Sequence, residues 1–111
     1  MSRDEIPPGT LEMLILRTLA RAARPLHGFE IAESIEQLSE DVLRVEEGSL
    51  YPALQRMLLK DWLAGEWGRT EGNRRARYYR LTAEGRKQLE REMEQYTRVA
   101  GAIARILEAA S

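Results

Sequence analysis

The densest concentration of one charge in this 111-residue chain is the stretch NRRARYYR, Asn73 to Arg80, which holds four arginines and no acid. Guanidinium groups are permanently charged, planar donors that match phosphate oxygens, so such a cluster offers a surface to a polyanion. An arginine pair in a turn can equally be a solvated surface, so a second feature has to support it. That feature is EEGSLYPALQRM, Glu46 to Met57. Its Leu50, Leu54, Met57 and Leu58 are spaced for one buried helix face, leaving Ser49, Tyr51, Pro52, Gln55 and Arg56 on the outward side. Hydroxyl, amide and guanidinium groups can bond phosphates and base edges, and a Tyr ring or a Pro can press on a thymine methyl.

Enzyme chemistry has little to work with. The chain has no cysteine and one histidine. It has no phosphate-binding glycine loop, and its acids are scattered over helix faces, so no nucleophile, base and orienting group can be assembled. No catalytic residue, metal site or cofactor is expected. His27, next to Gly28, is read as a helix cap. No run of 18 or more apolar residues and no charged-then-apolar leader is visible, so a cytoplasmic location without membrane contact is expected. A length of 111 residues with 43% hydrophobic side chains suits a single core.

The net charge is only −1, so charge is informative by segment. Residues 1–41 carry 4 basic and 8 acidic side chains (−4), residues 42–81 carry 8 and 5 (+3), and residues 82–111 carry 5 and 5 (0). The basic middle third therefore contains both the helix of interest and the arginine cluster.

The elements that would position them can be traced along the chain. Thr10 is read as the N-cap of a first helix that runs to about Ala22, with Glu12 near its positive end. Its apolar residues cover more than one stripe, which makes it central or shared with a partner subunit. HGFEIAESIEQL gives a second amphipathic helix, with Gly28, Ile31, Ala32, Ile35 and Leu38 on its apolar side. SEDVLRVEEG is read as a connection. Ser49 is read as the cap of the third helix, which places Pro52 in a first turn where its missing N–H costs little. From Trp62 the period changes to two, and two strands joined by a Gly-Asn turn form a hairpin.

Thr82 caps a last helix running to about Glu108, some 27 residues or roughly 40 Å long. Leu89, Met93, Tyr96, Ala100, Ile103 and Leu107 follow a heptad spacing along it, widened by Val99 and Ile106. An exposed apolar seam of that length implies a symmetric homodimer, with Leu11 and Leu14 of the first helix joining the interface. The alternative is that the seam folds back on its own domain.

The fold class expected is mainly α with a small β-hairpin: a winged helix-turn-helix over residues 1–81 and a long C-terminal dimerisation helix over 82–111. In that architecture the third helix enters the major groove of DNA and the hairpin, the wing, reaches the neighbouring backbone or minor groove. Arg74 and Arg75 at the turn have the reach for it.

GTLEMLILRTL, HGFEIAESI, EEGSLYPALQRM and NRRARYYRLTAEGRKQL together resemble the PadR family of bacterial transcriptional regulators, over nearly the whole chain from Thr10 onward. The most specific parts are Gly48-Ser49-Leu50-Tyr51-Pro52 and the Arg-Arg-x-x-Tyr-Tyr-x-Leu-Thr run from Arg74 to Thr82. The resemblance implies a short-form homodimeric repressor binding a palindromic operator in double-stranded DNA. It carries DNA contacts over to Ser49, Tyr51, Pro52 and Arg56, and to Asn73, Arg74 and Arg75. It also implies a small planar or apolar effector. Tyr96, with Met93 and Leu14, is the candidate lining of an effector pocket, although plain dimer packing also accounts for Tyr96. One departure is Asp61, where the family usually has glycine before the wing; aspartate tolerates left-handed angles, so the turn is expected to survive. The competing function is a winged-helix protein-interaction module that never touches DNA. It explains the fold but gives no reason for the arginines.

Overall fold

The structure, a computed structural model, describes residues 4–110. Its element order is β1 (Asp4–Glu5), α1 (Leu11–Ala22), β2 (Leu26–His27), α2 (Gly28–Leu38), β3 (Leu43–Arg44), α3 (Glu47–Leu59), β4 (Leu63–Arg69), β5 (Arg75–Leu81) and α4 (Ala83–Glu108). This is the expected winged helix-turn-helix followed by a long helix. The hairpin gains a third strand, because β2 pairs antiparallel with β5 in the order β2-β5-β4. A second two-stranded pair, β1 parallel to β3, ties the N-terminal lead to the connection before α3. None of these three two-residue strands is visible in the sequence, since two residues carry no periodicity.

The core sits where α1, α2, α3 and the base of the sheet converge, around Ile15, Leu16, Ile31, Leu50, Leu54, Met57 and Leu63, all fully buried. Each such side chain contributes about 1.5–3 kcal/mol relative to an exposed one. Leu38, placed on the apolar side of α2 by spacing, is instead exposed, because it stands in the last turn, beyond the packed stretch.

The helix ends follow from local chemistry. Thr10 occupies the N-cap position of α1, but its hydroxyl donates to the Pro7 carbonyl at 2.6 Å and caps nothing. His27 caps α2 as expected: its Nδ1 accepts from the Glu30 N–H at 3.3 Å while Glu30 Oε1 accepts from the His27 N–H at 3.1 Å, a reciprocal capping box. Thr82 Oγ1 accepts from the Gly85 N–H at 2.9 Å and so caps α4.

The start of α3 corrects the sequence reading. The helix begins at Glu47 with Glu46 at the N-cap, so Ser49 lies in the first turn and caps nothing, and Pro52 is the sixth helical residue. A proline there removes the bond to the carbonyl of Gly48. That carbonyl belongs to an exposed first-turn glycine with nothing within 4 Å of its Cβ position, so water can reach it. At the other end, Asp61 takes φ +63°. The Trp62 N–H bonds the Met57 carbonyl and the Asp61 N–H bonds the Leu58 carbonyl, a Schellman ending with aspartate in the glycine position.

The long helix α4 has 26 residues, roughly 39 Å of rise. Only its start belongs to the core. Gly85 fits so closely that a Cβ would collide with the Trp62 carbonyl, and Leu89 is buried. Leu89 therefore packs inside its own chain, contrary to its expected place on an intersubunit seam. As far as Val99 the helix still flanks Thr10 and Met13 of the domain, and beyond it the helix projects, which accounts for a long axis of 59 Å against a short one of 22 Å.

Candidate nucleic-acid interface

Burying Leu50, Ala53, Leu54 and Met57 against α1 and α2 turns the opposite side of α3 outward, so Ser49, Tyr51, Pro52, Gln55 and Arg56 are all exposed. They are not equally available. Arg56 Nε donates to Glu12 Oε2 of α1 at 3.1 Å, which holds its guanidinium beside α1. Tyr51 lies across the start of α2, with its ring over Gly28. Ser49, Pro52 and Arg56 border a concavity of about 430 Å³ shared with the Pro7-Pro8-Gly9 lead, whereas Tyr51 and Gln55 face the wing. The five outward residues thus divide between two sides of α3.

The wing's geometry follows from its register. Leu63 pairs with Leu81, Gly65 with Tyr79, Trp67 with Arg77, and Arg69 with Arg75. Directly opposed residues share a face, so one face of the hairpin runs from Leu63, Leu81 and Tyr79 in or beside the core out to Trp67, Arg77 and Arg75 beyond it. Burial pushes the Tyr79 phenol pKa up, partly offset by the positive charge of Arg77. At the tip, the Asn73 N–H bonds the Thr70 carbonyl and the Thr70 N–H bonds the Arg74 carbonyl, both at 2.9 Å. Asn73 has φ +62°. A three-residue loop with a left-handed third residue is a standard hairpin connection. Arg69 Nη1 donates to the Asn73 carbonyl at 3.2 Å, which stiffens the turn from which Arg74 projects.

Between α3 and the wing lies a cleft of about 600 Å³. Tyr51 and Gln55 line one wall, and Trp67, Arg74, Arg75 and Arg77 the other. Phe29, at the start of α2, closes one end. Among the described residues no carboxylate lines it. Arg75 stacks on the Trp67 ring at 4.3 Å and Arg77 stands 5.8 Å from the same ring. Phe29, Trp67 and Arg77 were not among the sequence candidates. Phe29 falls on the polar side of α2, Trp67 ends a strand pattern, and Arg77 flanks the tyrosines as an apparently structural residue; only the fold brings them together.

Along α4, Met93, Tyr96, Ile103 and Leu107 are exposed and Ala100 is half-buried, with Val99 and Ile106 also exposed. Leu11 and Leu14 of α1 are half-buried against the core. Tyr96 borders a shallow pocket of about 320 Å³ with Thr10, Met13 and Val99; neither Leu14 nor Met93 is part of its lining. Among the described residues no group of three His, Asp or Glu could hold a metal ion, and no helix is long and apolar enough to cross a membrane.

Residues 15–91 match the model of the transcriptional regulator PadR-like family. The fold superimposes on a transcriptional regulator from Clostridium thermocellum with a TM-score of 0.80, at 25% identity over 90% of this chain and 95% of that one. A PadR family transcription regulator from Clostridium difficile gives a TM-score of 0.74, at 29% identity over 89% of this chain and 99% of that one. An uncharacterised protein of Lysinibacillus sphaericus is 27% identical over 99 residues, 89% of either chain.

Proposed function

Because the chain belongs to the PadR-like family of transcriptional regulators and is a DNA-binding regulator on that ground, we propose that it acts as a homodimeric repressor of a palindromic operator, released by a small apolar or planar effector. The division of labour is between residues 1–81, which bind DNA, and residues 82–111, which dimerise. The observation that carries the DNA-facing part is the acid-free surface where α3 and the wing meet. Tyr51 and Gln55 present ring, hydroxyl and amide to base edges, Ser49 and Pro52 meet the adjoining backbone, and Arg74, Arg75 and Asn73 contact phosphates from the wing tip. Arg56 contributes through whichever of its donors remain beyond its bond to Glu12.

The exposed apolar run from Met93 to Leu107 supports the dimer. A second copy of the same helix is the partner whose surface repeats that spacing, and a two-fold dimer presents two recognition helices to two half-sites. Tyr96 stands at the margin of that run and beside the pocket with Thr10 and Met13, where an effector could wedge between helix and core.

The test is binding to duplexes from the upstream region of the chain's own gene at two salt concentrations. Affinity should fall steeply with salt, since each phosphate neutralised adds about 0.9 to the log–log slope. No shift at low salt, or one insensitive to salt, would return the protein to the interaction-module alternative.

A further inference from the structure

Phe29, Trp67 and Arg77 share the cleft between α3 and the wing yet have no task in the DNA contacts of the recognition helix and the wing tip. A helix in the major groove and a hairpin tip in the adjacent minor groove are always separated by one sugar–phosphate strand, because that strand is the wall between the two grooves. In this fold the space between those two elements is the cleft. We propose that the cleft holds that strand, with Arg77 bonding one phosphate and Phe29 and Trp67 packing on the deoxyriboses beside it. This rests on the DNA-binding function above and adds three residues to it.

Three observations converge. Arg77 is half-buried, and its Nε is buried with no hydrogen-bond partner among the described residues. A buried, unpaired donor is costly unless something completes it. Other arginines of the chain have acids within reach, as in Arg24–Glu30, Arg44–Glu46 and Arg56–Glu12, whereas the cleft holding Arg77 has arginines and no carboxylate. Nε itself is covered by the Gly65 strand, so an anion entering this carboxylate-free cleft would meet the rest of the Arg77 guanidinium.

The place is also prepared for Arg77. Gly65 lies diagonally across the hairpin, and a Cβ there would come within 2.8 Å of the Arg77 Nε. A side chain at Gly65 would displace the guanidinium from this place, where its Cζ stands 5.8 Å from the Trp67 ring.

The third observation is apolar. Phe29 is 67% exposed and Trp67 58% exposed, at two sides of the same cleft. Neither belongs to the core, and although Arg75 lies over the Trp67 ring, two largely exposed aromatics on one cleft form a contact surface. Deoxyribose offers C–H edges to such rings. A ribose 2′-hydroxyl in the same position would lose its water without gaining a partner, so the packing also favours DNA over RNA.

The experiment uses the full chain and a duplex it binds, with single phosphates of either strand replaced in turn by neutral methylphosphonates. One position per half-site, on the strand between the two grooves, should weaken wild-type binding by about tenfold, the usual effect of losing one charged hydrogen bond. Arg77→Met should bind the unmodified duplex about tenfold more weakly, with a salt slope lower by roughly 0.9, and should not respond to the methylphosphonate at that position. Phe29→Leu and Trp67→Leu should weaken binding several-fold and leave the slope unchanged, and a ribonucleotide at that position should weaken wild type more than either variant. If Arg77→Met does not fold, the methylphosphonate scan on the unaltered chain still decides. A scan in which no phosphate of the strand between the two grooves responds, with a duplex that binds, overturns the strand contact and leaves the wing-tip contacts and DNA binding standing. Failure to bind any upstream duplex overturns both.

Discussion

The ring of Tyr51 in α3 lies on Gly28 at the start of α2, so close that a Cβ on Gly28 would come 2.8 Å from the Tyr51 hydroxyl oxygen and 2.9 Å from its Cε1. The two residues come from two motifs of the chain, HGFE and GSLYP, and their contact sets the direction in which the first exposed aromatic of the recognition helix points. Gly28 is needed for closeness alone: it opens a helix and has no positive φ. Gly28→Ala should therefore change stability by about 1 kcal/mol or less, since alanine regains helix propensity while the ring moves aside. It should nevertheless relax discrimination between operator and unrelated duplex, as Tyr51→Ala should. Thermal melting together with competition binding checks both, and a variant that melts as wild type and keeps its sequence preference would show that the position of Tyr51 is unimportant.

At the wing tip, Arg74 and Arg75 are exposed, with Arg75 on the face of Trp67. Replacing both with alanine should weaken binding to every duplex about equally and flatten the salt dependence by roughly 0.9 for each phosphate that is no longer neutralised. Tyr51→Ala should do the reverse, costing preference more than bulk affinity. Titrations at several salt concentrations separate the two patterns; identical behaviour of the two variants would refute the division between phosphate and base contacts.

Asp61 holds φ +63° at the end of α3, and its carbonyl accepts from the Thr82 hydroxyl at 2.6 Å. Asp61→Gly keeps that carbonyl and removes the left-handed strain, so stability should rise by up to about 1 kcal/mol. Asp61→Val should lower it by about 1–2 kcal/mol, because a β-branched side chain is poorly suited to that region. Denaturant midpoints of the two variants should bracket wild type.

For the long helix, Ile103→Glu places a charge within the exposed apolar run of α4 at a residue that is 52% exposed in the isolated chain. The single-chain fold should be unharmed and assembly abolished, so sedimentation should move from dimer to monomer while circular dichroism keeps its helical signal. Truncation after Leu89 should likewise leave a monomer or an insoluble chain. A stable dimer after either change would place the interface elsewhere.

The apolar spacing of α1, α2 and α3, the period-two hairpin and the Thr82 cap were legible in the sequence because each depends on neighbours within a few residues. The capping box of His27 and Glu30 and the left-handed turn at Asp61 are of the same kind. Legibility stopped at the start of α3. Ser49 is a good cap by type, yet β3 pairs with β1 and delivers the chain so that the helix begins at Glu47. That pairing joins residues some forty apart and leaves no local trace.

The candidate site divides in the same way. The sequence alone determined which residues face outward from α3 and that the arginines gather at a hairpin, since helical and strand periods fix the faces. Only the tertiary structure decided that Arg56 is held by Glu12, that Leu89 packs within its own chain while Met93 and Ile103 do not, and that Phe29, Trp67 and Arg77 border one cleft with Tyr51. These are contacts between elements whose separation in sequence exceeds any periodicity, so they exist only once the core has fixed the positions of the helices and the wing.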